Sequence, residues 1–276
     1  MKILITGVNG FIANNLARYL QKTGCEVYGT SSKELKNSHC VDTFNLKIGD
    51  KLNIDCIDFD WAIHCVYDKN LSSEENTNAT ISWANELKNR GVVKQLFLSS
   101  IGAISENLSE YAILKRKTEQ WFLENDMYVV RPGLVVGSGG LFQQMIHKVK
   151  TFPIIPMIHG GKTKIKLIGV NDLIDEIYNI MISLPRKKES NIFYPNDILL
   201  KELLEEISKY YNKQRIFISI PYFLMFYFAR ALEILNINIG VTSQNVKGLI
   251  SNEIDIKSCI DYRNELSEIL KESLEG

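Results

Sequence analysis

The chain opens with Met1-Lys-Ile-Leu-Ile-Thr-Gly-Val-Asn-Gly-Phe-Ile-Ala13, and this stretch decides the fold. Residues 2–6 form a short apolar run, which is typical of a buried strand. Gly7 to Gly10 supply a turn, and residues 11–21 then carry apolar side chains at helical spacing. The sequence therefore predicts a strand, a glycine turn and a helix in direct succession.

The predicted turn has the chemistry of a phosphate site. The unpaired N–H groups and the dipole at the start of a helix both favour an anion. Gly7 permits the tight turn, Gly10 allows a pyrophosphate to approach the backbone, and Ala13 stands where a third glycine would allow close packing. Two glycines three apart also occur in ordinary turns, but a second strand pattern at residues 25–30 favours nucleotide binding.

Composition narrows the class of protein. The chain has 276 residues, 45% of them hydrophobic, which is enough for a substantial core. Its 32 basic and 32 acidic residues balance, so the whole chain gives no electrostatic argument for nucleic acid or an anionic membrane. Met1 leads directly into a strand, and the five cysteines lack CxxC pairs. We therefore expect a cytoplasmic protein with reduced thiols, without a signal peptide or bound metal.

The longest apolar run is residues 216–229, and it is too short to span a membrane, with Pro221 interrupting it. Our interpretation is a buried strand followed by a helix that starts at the proline. A contact with a membrane surface remains an alternative, because aromatic residues are dense in this run.

Strand and helix patterns alternate through the first half of the chain, which predicts a parallel sheet with helices on both faces. The expected fold class is α/β: a Rossmann-type doubly wound sheet with a smaller, mainly helical C-terminal part that binds the substrate. We expect domains at 1–165, with 166–184 returning to the first, and at 185–276. The ranges are strands at 2–6, 25–30, 61–66, 94–99 and 127–131, and helices at about 11–22, 74–90, 109–124, 141–150, 172–184, 199–211, 221–235 and 260–274, with a further strand at 163–168.

A possible catalytic set follows the fourth predicted strand. Ser100 ends that strand, and Tyr111 and Lys115 lie four residues apart on one face of a predicted helix. An ammonium close to a phenol favours the phenolate, so such a tyrosine can exchange a proton with a carbinol oxygen. YxxxK is usually a solvated helix face, but its order behind a glycine-rich turn makes chance less attractive.

At this point the sequence resembles the extended short-chain dehydrogenase/reductases, in particular the NAD(P)-dependent sugar epimerase/dehydratase family, over residues 1 to about 180. The motifs that carry the resemblance are Thr6-Gly-Val-Asn-Gly-Phe-Ile-Ala13, Phe59-Asp-Trp-Ala-Ile-His64, Asn76-Thr-Asn-Ala-Thr80, Phe97-Leu-Ser-Ser100, Tyr111 with Lys115, Arg131-Pro-Gly-Leu-Val-Val-Gly137 and Val170-Asn-Asp172. The resemblance implies that Tyr111 is the acid/base, that Lys115 binds the ribose and tunes Tyr111, and that Ser100 orients the substrate oxygen.

The sequence and the resemblance together give a set of expected cofactor contacts. They are Gly7, Asn9, Gly10, Phe11 and Ile12 at the turn, Ser31, Ser32 and Lys33 after the second strand, Asn45 and Leu46 at the adenine, Cys65, Val66 and Tyr67 along the dinucleotide, and Pro132 and Val135 near the nicotinamide.

The chain departs from the family pattern at several positions. Ala13 replaces the third glycine, and Val66 and Tyr67 replace two small alanines. The segment from Ser100 to Tyr111 is short, which removes a loop that often covers the sugar, and Gly169 replaces a frequent histidine. These changes leave the fold secure and bear on the substrate.

The residues after the second strand bear on the cofactor. NAD enzymes generally place a carboxylate there to hold the ribose 2′-hydroxyl. Here Ser31, Ser32 and Lys33 precede the first carboxylate, Glu34, and could hold a 2′-phosphate. The sequence favours NADP slightly over NAD.

The function indicated is an epimerase or 4-keto reductase of a nucleotide- or lipid-diphosphate sugar, with Lys164 near the substrate diphosphate and a homodimer as a compatible assembly. An exposed edge strand is an equal explanation for Lys164. The alternatives are an NADPH-dependent reductase of a non-sugar carbonyl and a non-catalytic regulatory protein that binds the dinucleotide.

Overall fold

The opening stretch forms strand β1 (Lys2–Thr6) at the interior of a parallel sheet, in a computed structural model of the chain. Ile3, Leu4 and Ile5 are fully buried, as the apolar run predicts. The structure describes residues 1–33, 37–54, 57–104, 109–234, 258 and 266–275.

Seven strands make up the central sheet, and every neighbouring pair in it is parallel. Their order is β11-β6-β5-β4-β1-β2-β3, which confirms the predicted Rossmann-type class. The strands are β1, β2 (Glu26–Ser31), β3 (Asp42–Asn45), β4 (Trp61–His64), β5 (Gln95–Leu98), β6 (Tyr128–Pro132) and β11 (Glu189–Ile192).

Helices flank this sheet and follow the predicted ranges closely. They are α1 (Phe11–Lys22), α2 (Ser73–Asn89), α3 (Glu110–Glu124) and α5 (Val170–Ser183). α1 packs on α5, where the rings of Tyr19 and Tyr178 lie 5.5 Å apart. α2 starts at a complete capping box, because Ser72 and Glu75 bond each other's backbone N–H groups.

The chain divides into two compact units. Unit 1 is Met1–Ser100, Leu114–Pro132 and Val170–Ile192, and it contains the whole seven-stranded sheet. Unit 2 is Ile101–Ile113, Gly133–Gly169 and Phe193–Gly276. The boundaries drawn from the sequence after residues 165 and 184 stay a prediction about domains.

In the described part of unit 2, three pairs of short strands accompany the helices. β7 (Leu134–Val136) pairs with β10 (Leu167–Gly169), β8 (Ile154–Ile158) with β13 (Ile216–Ile220), and β9 (Lys164–Ile165) with β12 (Ile198–Leu199). The helices are α4 (Gly140–Thr151), α6 (Leu200–Tyr210), α7 (Tyr222–Ile234) and α8 (Leu266–Glu275). The predicted strand at 163–168 is split between β9 and β10, and residues 260–265 of the last predicted helix lie outside the described residues.

Within the described part of the chain, no helix combines the length and the apolar character needed to cross a membrane.

Candidate active site

The turn between β1 and α1 has the backbone geometry that its glycines predict. Gly7 adopts a φ of 68°, and its N–H donates to Thr30 Oγ1 at 3.1 Å. A Cβ on Gly7 would lie 3.0 Å from the backbone of Val66, so both the conformation and the space exclude a larger residue. The Gly10 N–H donates to the Gly7 carbonyl at 2.8 Å and closes the turn.

The start of α1 is open to an anion. Gly10 is the residue that precedes the first turn, and no side chain caps the helix there. The first turn, which includes Phe11 and Ile12, contains no acidic residue that would repel a phosphate. Because glycine adds no Cβ at this point, the residues present fit the pyrophosphate of a dinucleotide.

A hydrogen-bonded group of side chains joins this turn to the end of β2. Asn9 Nδ2 donates to Ser31 Oγ at 3.0 Å, and the Lys33 N–H donates to the same oxygen at 3.2 Å. The buried Asn37 donates to Asn9 Oδ1 at 3.1 Å and to Asn14 Oδ1 at 2.8 Å. Sequence reasoning missed Asn37, because nothing in its local pattern sets it apart from an ordinary loop asparagine.

The polar end of β2 continues into β3. Ser31 is paired in register with Asn45, and the Leu46 N–H donates to the Ser31 carbonyl at 2.9 Å. Ser32 and Lys33 are exposed immediately beyond the strand. The structure therefore brings Asn9, a predicted contact from the turn, close to four predicted contacts of the adenosine half: Ser31, Lys33, Asn45 and Leu46.

The ends of β1 and β4 are joined through a side chain that sequence reasoning did not select. The buried Thr6 Oγ1 accepts hydrogen bonds from the N–H groups of Cys65 at 3.2 Å and Val66 at 3.3 Å. This contact holds the predicted wall of the dinucleotide site beside the glycine turn. Burial raises the pKa of the Cys65 thiol to about 12, so it is a neutral thiol at neutral pH.

Lys115 reaches the same edge of the sheet from α3. Its Nζ donates to the Leu98 carbonyl at 3.1 Å and lies 4.4 Å from the centroid of the Phe97 ring and 5.8 Å from that of Tyr67. Burial lowers the pKa of this ammonium to about 8, and interactions with Cys65 and Glu119 oppose the shift. The charge is thus held at the carboxyl end of β5.

The other predicted residues are divided between the units. Ser100 follows β5 and Pro132 ends β6, both in unit 1, whereas Tyr111, Val135 and Lys164 belong to unit 2. Tyr111 lies in the first turn of α3, one helical turn before Lys115, and its side chain is exposed. These positions leave the catalytic assignment of Ser100 and Tyr111 as a prediction.

Two polar groups beside the site lack partners among the described residues. Ser99 Oγ is buried without a hydrogen bond, and so is Nδ1 of the buried His64. His64 Nε2 pairs with Gln95 Oε1 at 2.8 Å, and burial lowers the pKa of His64 to about 4. The imidazole at the end of β4 is therefore neutral and part of the core.

A buried ion pair fixes the helix that carries Lys115. Arg131 of β6 bonds Glu119 of α3 at 2.8–2.9 Å, and its Nη1 bonds Glu189 of β11 at 2.8 Å. Arg131 and Glu119 are almost completely buried, and their bond ties α3 to β6, while the bond to Glu189 ties β6 to β11.

The fold is of the Rossmann class, in which a dinucleotide would bind at the carboxyl ends of β1, β2, β4 and β5. The sequence profile of the NAD dependent epimerase/dehydratase family matches residues 3–193. The chain belongs to that family, as the motifs of the sequence indicate.

Solved structures with the same fold are distant in sequence. MoeE5 in complex with UDP-glucose and NAD is 15% identical, with a TM-score of 0.69 over 100% of this chain and 98% of that one. The UDP-glucose 4-epimerase of Thermus thermophilus, in complex with NAD, is 17% identical, with a TM-score of 0.68 over 80% of this chain and 86% of that one. The dTDP-glucose 4,6-dehydratase of Bacillus anthracis str. Ames, in complex with NAD, is 15% identical, with a TM-score of 0.65 over 80% and 84%. No curated protein sequence matches the chain.

Proposed function

We propose that this protein is an NAD(P)-dependent epimerase or 4-keto reductase of a nucleotide- or lipid-diphosphate sugar. The observation that carries the proposal is the placement of Lys115, whose ammonium lies at the carboxyl end of β5 while Tyr111 precedes it by one turn of the same helix. Membership of the family supports the reaction class. Similar folds in proteins whose names include UDP-glucose and dTDP-glucose support a sugar substrate.

The residues of the turn and of the neighbouring strand ends would hold the dinucleotide. Gly7, Gly10 and the first turn of α1 would receive the pyrophosphate. Asn45 and Leu46 would lie at the adenine, and Cys65, Val66 and Tyr67 would line the chain of the cofactor, with Pro132 and Val135 toward its reactive ring. When bound, the nicotinamide supplies an acceptor and donor for hydride.

Three side chains would handle the substrate oxygen. Tyr111 would take the proton from the sugar hydroxyl, or return it, as the general acid/base. The positive charge of Lys115 would favour the phenolate form of Tyr111, and its ammonium would also bond the ribose hydroxyls. Ser100 would orient the reacting oxygen, and Lys164 of unit 2 would approach the substrate diphosphate.

The proposed reaction is tested by replacing Tyr111 with phenylalanine. The ring and its packing stay, so the fold and the cofactor affinity should be kept, while turnover should fall by about 10²–10⁴ because the proton path is lost. Lys115→Met should reduce both turnover and cofactor affinity, and Ser100→Ala should cost less than either. Turnover is measured on a panel of nucleotide-diphosphate sugars, after native mass spectrometry has identified any dinucleotide that co-purifies.

Tyr210→Phe is the matched control, since Tyr210 is another exposed tyrosine, on α6. Normal turnover of Tyr111→Phe on its substrate would defeat the catalytic assignment. An inactive Tyr111→Phe protein that still supports the biological role would point to a regulatory function. Turnover only of non-sugar ketones by the parent would point to a reductase of non-sugar carbonyls.

We propose a slight preference for NADP on the basis of the end of β2. The exposed Ser32 and Lys33, beside Ser31, offer a cation and hydroxyls to a 2′-phosphate. Lys33→Ala should weaken NADP more than NAD, by roughly 1–3 kcal/mol, if the ammonium makes a charged hydrogen bond to the phosphate. Calorimetric titration with both cofactors measures the difference, and Lys51→Ala removes another exposed lysine as the control. An equal loss for the two cofactors would remove the preference.

We propose that this reaction takes place in the cytoplasm, which the free thiols of Cys25, Cys40 and Cys65 in the described part of the chain support.

A further inference from the structure

The interpretation of a buried strand at the start of the run 216–229 is wrong, because β13 is mostly exposed. One face of the β8–β13 pair in unit 2 is apolar and exposed. The two strands are parallel, with Ile154 opposite Ile216 and Pro156 opposite Ile218. Because alternate residues of a strand share a face, these four side chains lie on the same side of the pair. All four are exposed, including Ile216 at 63% and Ile154 at 49%. Adjacent exposed apolar side chains are typical of interaction surfaces.

Helix α7, which follows β13 directly, adds further exposed apolar residues. Phe223, Leu224 and Tyr227 follow the spacing of a single helical face, and all three are exposed, Tyr227 at 68%. Met225 points the other way and packs on Ile158. We call Ile154, Pro156, Ile216, Ile218, Phe223, Leu224 and Tyr227 the β8–β13–α7 surface.

The segments that build this surface carry no negative charge. The balanced total of the chain conceals a local imbalance, because no Asp or Glu occurs between Asp126 and Asp172 or between Glu206 and Glu233. Arg215 Nη2 donates to the Lys150 carbonyl at 2.9 Å, so these two basic residues are neighbours where β8 and β13 begin. The surface therefore meets a basic border at that end.

A cleft of about 720 Å³ adjoins the same end of β13. Phe217 of β13 lines it together with Lys209, Lys213 and Arg215, and Glu205 is the acidic residue of its lining. The hydroxyl of Ser208 in this lining is buried and has no hydrogen-bond partner among the described residues. Lys209 is already paired with Glu206 at 2.6 Å, so Lys213 and Arg215 are the cations of this lining that suit a phosphate group.

We propose that the β8–β13–α7 surface docks on an anionic phospholipid bilayer. The aliphatic and aromatic side chains would enter the boundary between headgroups and acyl chains, and the basic border would contact lipid phosphates. A symmetric pair of copies would instead bring two basic borders close to each other, which is unfavourable. The docking is independent of the proposed reaction, and its test uses neither substrate nor cofactor.

The test is cosedimentation of the full chain with vesicles. We expect binding to vesicles of equal parts phosphatidylcholine and phosphatidylglycerol, weaker binding to phosphatidylcholine alone, and loss at high salt. Ile216→Glu should reduce binding by tenfold or more, because it places a carboxylate in the apolar face. Val93→Glu is the matched control, since Val93 is an aliphatic residue of unit 1 that is also 63% exposed. Lys213→Ala should reduce binding about fivefold.

Circular dichroism establishes that each variant is folded, and Ile218→Ser is the milder substitution if Ile216→Glu is not. The proposal is wrong if the parent protein does not bind the anionic vesicles, or if Ile216→Glu and Val93→Glu bind equally well. It is also wrong if the parent ignores vesicles and sedimentation velocity shows a dimer that Ile216→Glu dissociates, since the surface would then join two copies.

Discussion

His64 shows how burial sets the charge of one residue beside the site. Its ring is enclosed by the core and lies edge-on to Phe122 at 5.2 Å, with one nitrogen bonded to Gln95. Protonation would place a cation among these groups, and burial lowers the pKa of His64 to about 4 for that reason. In the unfolded chain the ring returns to an ordinary pKa of about 6.5.

This difference predicts a pH dependence of stability. Between pH 6.5 and 4 the unfolded state binds a proton that the folded state does not, so the free energy of unfolding should fall as the pH falls through this window. The contribution of His64 is about 3 kcal/mol by linkage. Urea unfolding from pH 7.5 to 4 should show a smaller loss of stability in His64→Leu than in the parent, because leucine does not titrate. Carboxylates titrate in both proteins, so the difference between them reports His64. Parallel curves for the two proteins would contradict a neutral buried imidazole.

Individual site residues differ in how far the sequence can predict them. Gly7 is predictable because its positive φ and the proximity of Val66 make any larger residue strained, and because the sequence pattern of a strand, a turn and a helix indicates a glycine there. Thr6 and Asn37 are not, since their partners Cys65 and Asn9 are distant in sequence and only folding makes them neighbours.

Helix α3 is held to the sheet by an ion pair that is almost inaccessible to water. Arg131 and Glu119 have side chains that are 8% and 3% exposed, whereas the second carboxylate, Glu189, is 39% exposed. Glu119 has one further oxygen without a partner in the described part of the chain. Removing Arg131 would therefore leave the buried carboxylate of Glu119 without a counter-charge, while Glu189 could turn to solvent.

A double-mutant cycle tests this arrangement. Arg131→Met should destabilise the protein by about 3–5 kcal/mol, because Glu119 loses its counter-charge in the core. The double variant Arg131→Met with Glu119→Leu should recover most of that loss, since two apolar side chains fill the same space. Urea unfolding measures the stability of the parent, of each single variant, Arg131→Met and Glu119→Leu, and of the double variant. Glu206→Gln, which breaks the exposed pair with Lys209, is the control and should change stability little. If the double variant loses as much stability as the two single variants together, the pair is not coupled.

The sequence predicts some strands of the central sheet and not others. β1, β2, β4, β5 and β6 are interior strands with apolar runs, and the sequence predicts all of them. β3 and β11 were missed because they form the two edges of the sheet and read Asp-Thr-Phe-Asn and Glu-Ser-Asn-Ile. Partly exposed edge strands need no apolar face, so periodicity carries no signal for them.

Across the whole molecule, unit 1 gathers its segments from three separate parts of the chain. Residues 170–192 return to the sheet after the chain has built β7 to β10 in unit 2, and β11 completes the sheet beside β6. Such distant pairing cannot be read from local patterns. A ligand that binds these strand ends only in the folded state raises the stability of the protein, so thermal unfolding is a sensitive measure of such binding.

The last prediction uses that sensitivity to test the dinucleotide site. A ligand that binds only the folded state at a hundred times its dissociation constant adds about 2.7 kcal/mol, which should raise the melting temperature on the order of 5 °C. NAD or NADP should produce this rise in the parent. Gly10→Val should abolish it while the protein stays folded, since a Cβ at Gly10 meets only the Gly7 carbonyl at 3.1 Å but its side chain would enter the space of the pyrophosphate.

Gly10→Ala separates the two effects of that substitution. It brings the same contact with the Gly7 carbonyl but projects one carbon into the phosphate space, so we expect a reduced rise and not a complete loss. Differential scanning fluorimetry across cofactor concentrations gives all three curves, and the melting temperatures without cofactor report any cost to the fold. An equal rise in the parent and in Gly10→Val would show that the dinucleotide does not bind over this turn, and the site would have to lie elsewhere in the molecule.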